Sequence, residues 1–203
     1  MRAAVPGVAP GDSNRLDFVR ASSRMTHTDP KAEGGAFAVA LAARLAPRNT
    51  TVDPKSYLDN LESGIGDDDP EFIRLISNVV ASVNAGWNTG AFVDAIGLAT
   101  GVSGYIYHFV PVAIHAWLSH QQDCREAITK VIRCGGDTDS TGAIVGGIVG
   151  AAVGRSGVPE DWLSKLIEWP PTIEWVERPG KQLAAIGTPN SHSRLTRLPM
   201  FPL

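Results

Sequence analysis

The chain has 203 residues, long enough to bury a real core, and with 43% hydrophobic and 19% charged residues it has the composition of an ordinary globular protein. Eighteen basic and 21 acidic residues leave a net charge of −3, and the Lys and Arg residues are scattered without aromatic interleaving, so no nucleic-acid-binding surface is expected. Cys124 and Cys134 fit neither a disulfide framework nor a zinc spacing and read as reduced thiols.

The opening "MRAAVPGVAPGDSN" has one basic residue and no sustained apolar core, so it does not read as a signal peptide. A helix is predicted at 14–25. Three Asp-Pro pairs follow, at 29–30, 53–54 and 69–70. Asp can cap the free N–H groups of a first turn and Pro is tolerated at the first helical position, which predicts helices over 30–46, 54–62 and 70–85. Within 70–85, Phe72, Ile73, Ile76, Val79, Val80 and Val83 repeat at three and four, a buried helical stripe.

Further helices are predicted at 89–98, 108–119, 123–133, 140–154 and 159–168. The apolar stretches at 105–118 and 142–154 fall short of the roughly 18 to 20 residues that span a bilayer. They read as buried helices, with no membrane partner and a cytoplasmic location. No segment alternates with period two, so the fold class is all-α, with nine or ten helices in a domain over 1–180. The last stretch, 187–203, mixes Pro, Ser and Arg without periodicity, and 181–203 reads as a poorly ordered tail.

The segment "RCGGDTDSTGAIVGGIVGAAVG" carries the chemistry. Gly135 and Gly136 free the backbone to bend, so that Asp137 and Asp139 can converge just before a helix expected to begin near Ser140. Carboxylates with a hydroxyl are hard oxygen ligands, suited to Mg²⁺, Mn²⁺ or Ca²⁺. A helix cap is the competing reading, but a cap needs one oxygen and residues 137–141 offer five such side chains. In the helix that follows, Gly142, Gly146, Gly150 and Gly154 recur every four residues. That ridge predicts a central helix closely approached by another.

"GGDTDSTGAIVGGIVGA" resembles the C-terminal signature of the ADP-ribosylglycohydrolase family, which includes the dinitrogenase reductase-activating glycohydrolases. "MRAAVPGV" resembles its Met-Arg-x-x-Pro segment, "ASSRMTHTDPKAEGGAFAVALAARLA" its Ser-x-x-Thr-His-x-x-Pro helix entry, and "SGYIYHFVPVAIHAWL" its Val-Pro-x-Ala helix. The resemblance implies a multi-helix orthogonal bundle with a dinuclear Mg²⁺ or Mn²⁺ centre that hydrolyses ADP-ribosyl glycosidic bonds on proteins or small molecules. It implies metal ligation by Asp137, Asp139 and Ser140, the last in place of the more usual Thr. It also implies substrate binding by His27, Gly104 and Tyr105. For His27 a structural role stands beside the binding one; for Tyr105, core packing stands beside stacking on a base or ribose. His108, His115 and His120 offer no i,i+4 metal pair and read as packing or surface residues.

One motif set of the family has no counterpart: a Gly-Asp-rich first helix with a glutamate, then a Thr-Asp-Asp metal motif. "GDDD" at 66–69 falls after the Thr-His segment, in the wrong order. The resemblance is therefore to the C-terminal part of such an enzyme. It implies at most a partial metal site, general acid and base residues outside this sequence, impaired hydrolysis, and uncovered apolar faces open to self-association. The alternative is a non-catalytic member of the family that binds ADP-ribose or a nucleotide, or serves as a structural protein.

Overall fold

The computed structural model describes residues 2–8, 15–47, 51–65, 68–166 and 173–186. These residues form eleven α-helices: α1 (Ala4–Val8), α2 (Arg15–Arg24), α3 (Pro30–Leu45), α4 (Pro54–Ile65), α5 (Pro70–Asn84), α6 (Thr89–Ala95), α7 (Ile106–Ser119), α8 (Cys124–Arg133), α9 (Thr138–Val153), α10 (Glu160–Leu163) and α11 (Ile173–Ile186). Among the described residues there is no strand, only an isolated parallel bridge between Val102 and Gly136. The fold is all-α. No helix among the described residues is long and apolar enough to cross a membrane.

Two units divide the chain. The first comprises residues 1–8 and 14–159 and holds α1 to α9; the second comprises 9–13 and 160–203 and holds α10 and α11. The boundary expected at 180 falls inside α11, while 187–203 lie outside the described residues.

Each Asp-Pro pair opens a helix as its chemistry dictates. Asp29 accepts from the Lys31 N–H at 2.9 Å, Asp53 from Ser56 at 2.8 Å and Asp69 from Phe72 at 3.1 Å. Each satisfies an N–H that the first turn cannot bond internally.

The core of the first unit is built around α7, where nine consecutive residues from Val110 to Leu118 are buried. A helix buried on every side must be enclosed, and α7 packs against α3, α5, α6, α8 and α9. Pro111 costs it one rung of backbone bonding, which this enclosure overrides. Tyr57 of α4 ties the centre together: its ring meets Trp117 edge-on at 5.3 Å, and its hydroxyl donates to the Ala38 carbonyl of α3 at 3.0 Å. His115 is fully buried, stacked on Phe92 at 4.8 Å, with Nδ1 3.2 Å from the Thr89 hydroxyl. Burial first, and His120 second, lowers its pKa to about 4.

The central helix is thus α7, which corrects the expectation for α9. One face of α9 is buried, through Thr141, Ile144, Val145, Ile148 and Val149. The glycine ridge lies off that face. A Cβ at Gly142, Gly150 or Gly154 would meet nothing, and one at Gly146 would lie 3.3 Å from Ile128. Close approach occurs elsewhere: a Cβ on Gly7 would collide with the Ala40 backbone where α1 crosses α3, and one on Gly35 with Ile106. Four-residue spacing shows that glycines share a face, not that another helix covers it.

Candidate functional site

The acidic loop is spliced to the loop that precedes α7. Gly135 and Gly136 adopt φ of 70° and 78°, conformations that favour glycine. They let residues 135–137 run beside residue 102: the Val102 N–H donates to the Gly135 carbonyl at 3.1 Å, and the Asp137 N–H to the Val102 carbonyl at 2.6 Å. A side chain at Gly136 would collide with the Val102 backbone. Two loops more than thirty residues apart are therefore held as one piece of backbone.

Asp137 is the N-cap of α9, its Oδ1 accepting from the Ser140 N–H at 3.1 Å, so the helix begins at Thr138. Its Oδ2 is not used by the cap and faces Gly104; a Cβ there would stand 3.0 Å away. Asp137 and Ser140 are half-buried, whereas Asp139 in the first turn is exposed. The cap thus engages one oxygen of Asp137 and leaves the other outside it. Among the described residues no cluster of three or more His, Cys, Asp or Glu side chains is placed to hold a metal. Gly66 and Asp67 of the "GDDD" segment lie outside them.

Tyr105 is the N-cap residue of α7 and is 40% exposed. Its hydroxyl accepts from Lys31 Nζ at 3.0 Å, and its ring meets His108 edge-on at 5.2 Å. His108 Nδ1 lies 2.7 Å from the Ser103 hydroxyl, so this half-buried histidine packs on the 101–105 loop and braces it. Lys31 also pairs with Glu71 at 3.3 Å and sits 4.4 Å above the ring of Tyr107. The Tyr105 hydroxyl, then Glu71, raise the Lys31 pKa against the opposing effect of burial. Tyr107 is buried and donates to both oxygens of Asp69 at 2.6 Å. Its phenol pKa is raised, first by burial and then by Asp69. The N-termini of α3, α5 and α7 meet through these contacts, and Gly104 brings in that of α9. Each helix N-terminus carries a partial positive charge, which here stands beside the carboxylates of Asp69, Glu71 and Asp137.

His27 lies elsewhere in the first unit. Its Nδ1 is 2.8 Å from the Thr26 hydroxyl, and that hydroxyl accepts from Arg2 at 2.8 Å. Arg2 also donates to the Ser22 hydroxyl and carbonyl, clasping the end of α2. Here is a cavity of about 440 Å³ whose lining includes Arg2, His27, Ala36, Ile106, Phe109 and Ile144. These six come from all four sequence segments singled out above, so the motifs converge on one space. Arg2 was missed as a site residue; its motif was the available signal. A second cavity, about 740 Å³, is walled by charged groups including Arg20, Arg24, Lys31, Glu33 and Asp69. The described contacts bring Gly104 to Asp137 and Lys31 to Tyr105, but do not join His27 to Asp137.

Fold and site define an all-α protein with an acidic, glycine-bent loop at one pole and a motif-lined cavity of ligand size. The chain belongs to the ADP-ribosylglycohydrolase family, which it matches over residues 1–191. It is also similar to an uncharacterized protein of Archaeoglobus fulgidus, 28% identical over 149 residues; these make up 73% of this chain and 45% of that protein, so the match spans less than half of the relative's length.

Proposed function

We propose that the chain binds the ADP-ribosyl group and takes part in metal-assisted hydrolysis of its glycosidic bonds. The supporting observation is the convergence of four separated motif segments on the 440 Å³ cavity. That volume is in the range of small-molecule sites, with apolar walls and a few polar groups to fix orientation. Its aliphatic and aromatic walls suit a nucleoside, and Arg2 and His27 offer donors to ribose or phosphate oxygens. Tyr105 and Gly104 would flank the ligand at the α7 loop.

Asp137, Asp139 and Ser140 would hold a divalent cation such as Mg²⁺ or Mn²⁺. Their chemistry fits, since all three offer hard oxygen atoms and Asp137 keeps one carboxylate oxygen outside its cap. When bound, such an ion polarises ribose oxygens and acidifies a water as positive charge develops at the anomeric carbon. The chain's own part is to orient the ribose: the spliced loops fix Asp137 against Gly104, leaving no side chain between them. Two carboxylates and a hydroxyl do not complete a coordination shell, and no third carboxylate or histidine joins them among the described residues. That favours a second reading, ADP-ribose binding without turnover.

Titration calorimetry with ADP-ribose and Mn²⁺, beside an assay of ADP-ribose release from a modified protein, tests both. Binding with release supports hydrolysis, and binding without release supports the second reading. Equal Mn²⁺ affinity in wild type and Asp137→Asn sinks the ligand assignment.

A further inference from the structure

Lys31 occupies the first turn of α3, directly after Pro30, where the helix dipole disfavours a cation. Its compensation comes from outside the helix. The Glu71 partner supplies little of it, because the two side chains are 38% and 57% exposed. The firmer contacts are the Tyr107 face at 4.4 Å and the Tyr105 hydroxyl at 3.0 Å. Tyr107 is a rigid seat, 4% exposed and anchored at its hydroxyl by Asp69, which itself caps α5. The Tyr105 ring also meets the His108 ring edge-on at 5.2 Å.

We propose that Lys31 is a positioning residue for Tyr105: seated on the Tyr107 ring, it holds the Tyr105 hydroxyl and so fixes the aromatic wall beside Gly104 and Asp137. This rests on the reading of Tyr105 as flanking the ADP-ribose ligand at the α7 loop, beside the 440 Å³ cavity whose own lining on α7 begins at Ile106. Lys31 touches no ligand in this scheme; it acts through one hydroxyl, whose loss should cost what its own loss costs.

The test is a double-mutant cycle on ADP-ribose affinity, with ring-labelled tyrosine NMR of the ligand-free protein in parallel. Lys31→Met and Tyr105→Phe should each weaken ADP-ribose about fivefold, the size of one hydrogen bond, and the double variant should lose no more. Lys31→Arg should restore most of the affinity, and the urea midpoint should stay unchanged. The Tyr105 ring signals, assigned through Tyr105→Phe, should shift in Lys31→Met and return in Lys31→Arg. Additive losses, or Tyr105 signals unmoved by Lys31→Met, overturn the inference. Failure of the wild type to bind ADP-ribose overturns the functional reading, and with it the ligand role of Lys31, whatever the ring signals do.

Discussion

The two cavities share helix α3 as a wall and differ in the character of their linings. Residues 30, 31, 33, 34 and 37 face the larger one, and residues 32, 35, 36 and 39 face the smaller. At 100° per residue those sets lie on opposite sides of the helix. The larger cavity is walled by cations and carboxylates engaged with one another: Arg24 holds Glu33 at 2.6 Å, and Arg20 stands 3.7 Å from Asp68. The smaller has largely apolar walls, with Arg2, Ser22, Ser23, Thr26 and His27 gathered at one end, where Arg2 and His27 both meet the Thr26 hydroxyl. What marks a site is convergence of separate segments on a space whose polar groups are few and directed.

The largest effect should come from breaking the loop splice at the polar pole. Gly136→Val adds a side chain where the Val102 backbone stands and where φ is 78°. The variant should lose about 3 kcal/mol or more in urea unfolding and abolish Mn²⁺ binding. Retained stability would mean that the spliced loops are not a fixed unit.

Acid should next dismantle both cavities together, because α7 walls each of them, through Tyr107 in one and Ile106 and Phe109 in the other. His115 titrates near 6.5 when unfolded and near 4 when folded, so between those values the unfolded chain binds the extra proton. Stability should be level with respect to this group above pH 6.5, fall by about 3 kcal/mol toward pH 4, and level off below it. Circular dichroism during urea unfolding at several pH values reads this slope. His115→Gln should flatten it, and an unchanged slope would refute the assignment.

Ala36→Trp separates the cavities again. Ala36 lines only the smaller, so a bulky ring there should weaken ADP-ribose about a hundredfold by occupying its space. Unaltered affinity would move the site out of this cavity.

What was legible in the sequence was local. Asp29, Asp53 and Asp69 cap their helices because capping needs only residues within one turn. Gly135, Gly136 and Asp137 announced a bent acidic loop for the same reason. Helices α1 and α11 were hidden because Pro6 with Gly7, and Pro179 with Gly180, carry breaker chemistry inside helical segments. For α1 the contact of Gly7 with Ala40 on α3 supplies what propensity does not. The Lys31–Tyr105 and Tyr107–Asp69 bonds span 74 and 38 positions, beyond any periodicity. The glycine ridge of α9 misled because spacing names a face and leaves its neighbour unstated.

The smallest effect is expected from Glu33→Gln, on the charged side of α3. Glu33 takes two bonds from Arg24, at 2.6 and 3.2 Å, and raises the pKa of that guanidinium. The glutamate is 20% exposed and the arginine 68%, so solvent screens much of their attraction. Removing the charge should leave the urea midpoint and the ADP-ribose affinity within error of wild type, in contrast to Ala36→Trp three residues along. A clear loss of affinity would mean that the ligand reaches the charged cavity. The effect of Lys31→Met could then no longer be assigned to Tyr105 alone, since Lys31 and Glu33 line that same wall.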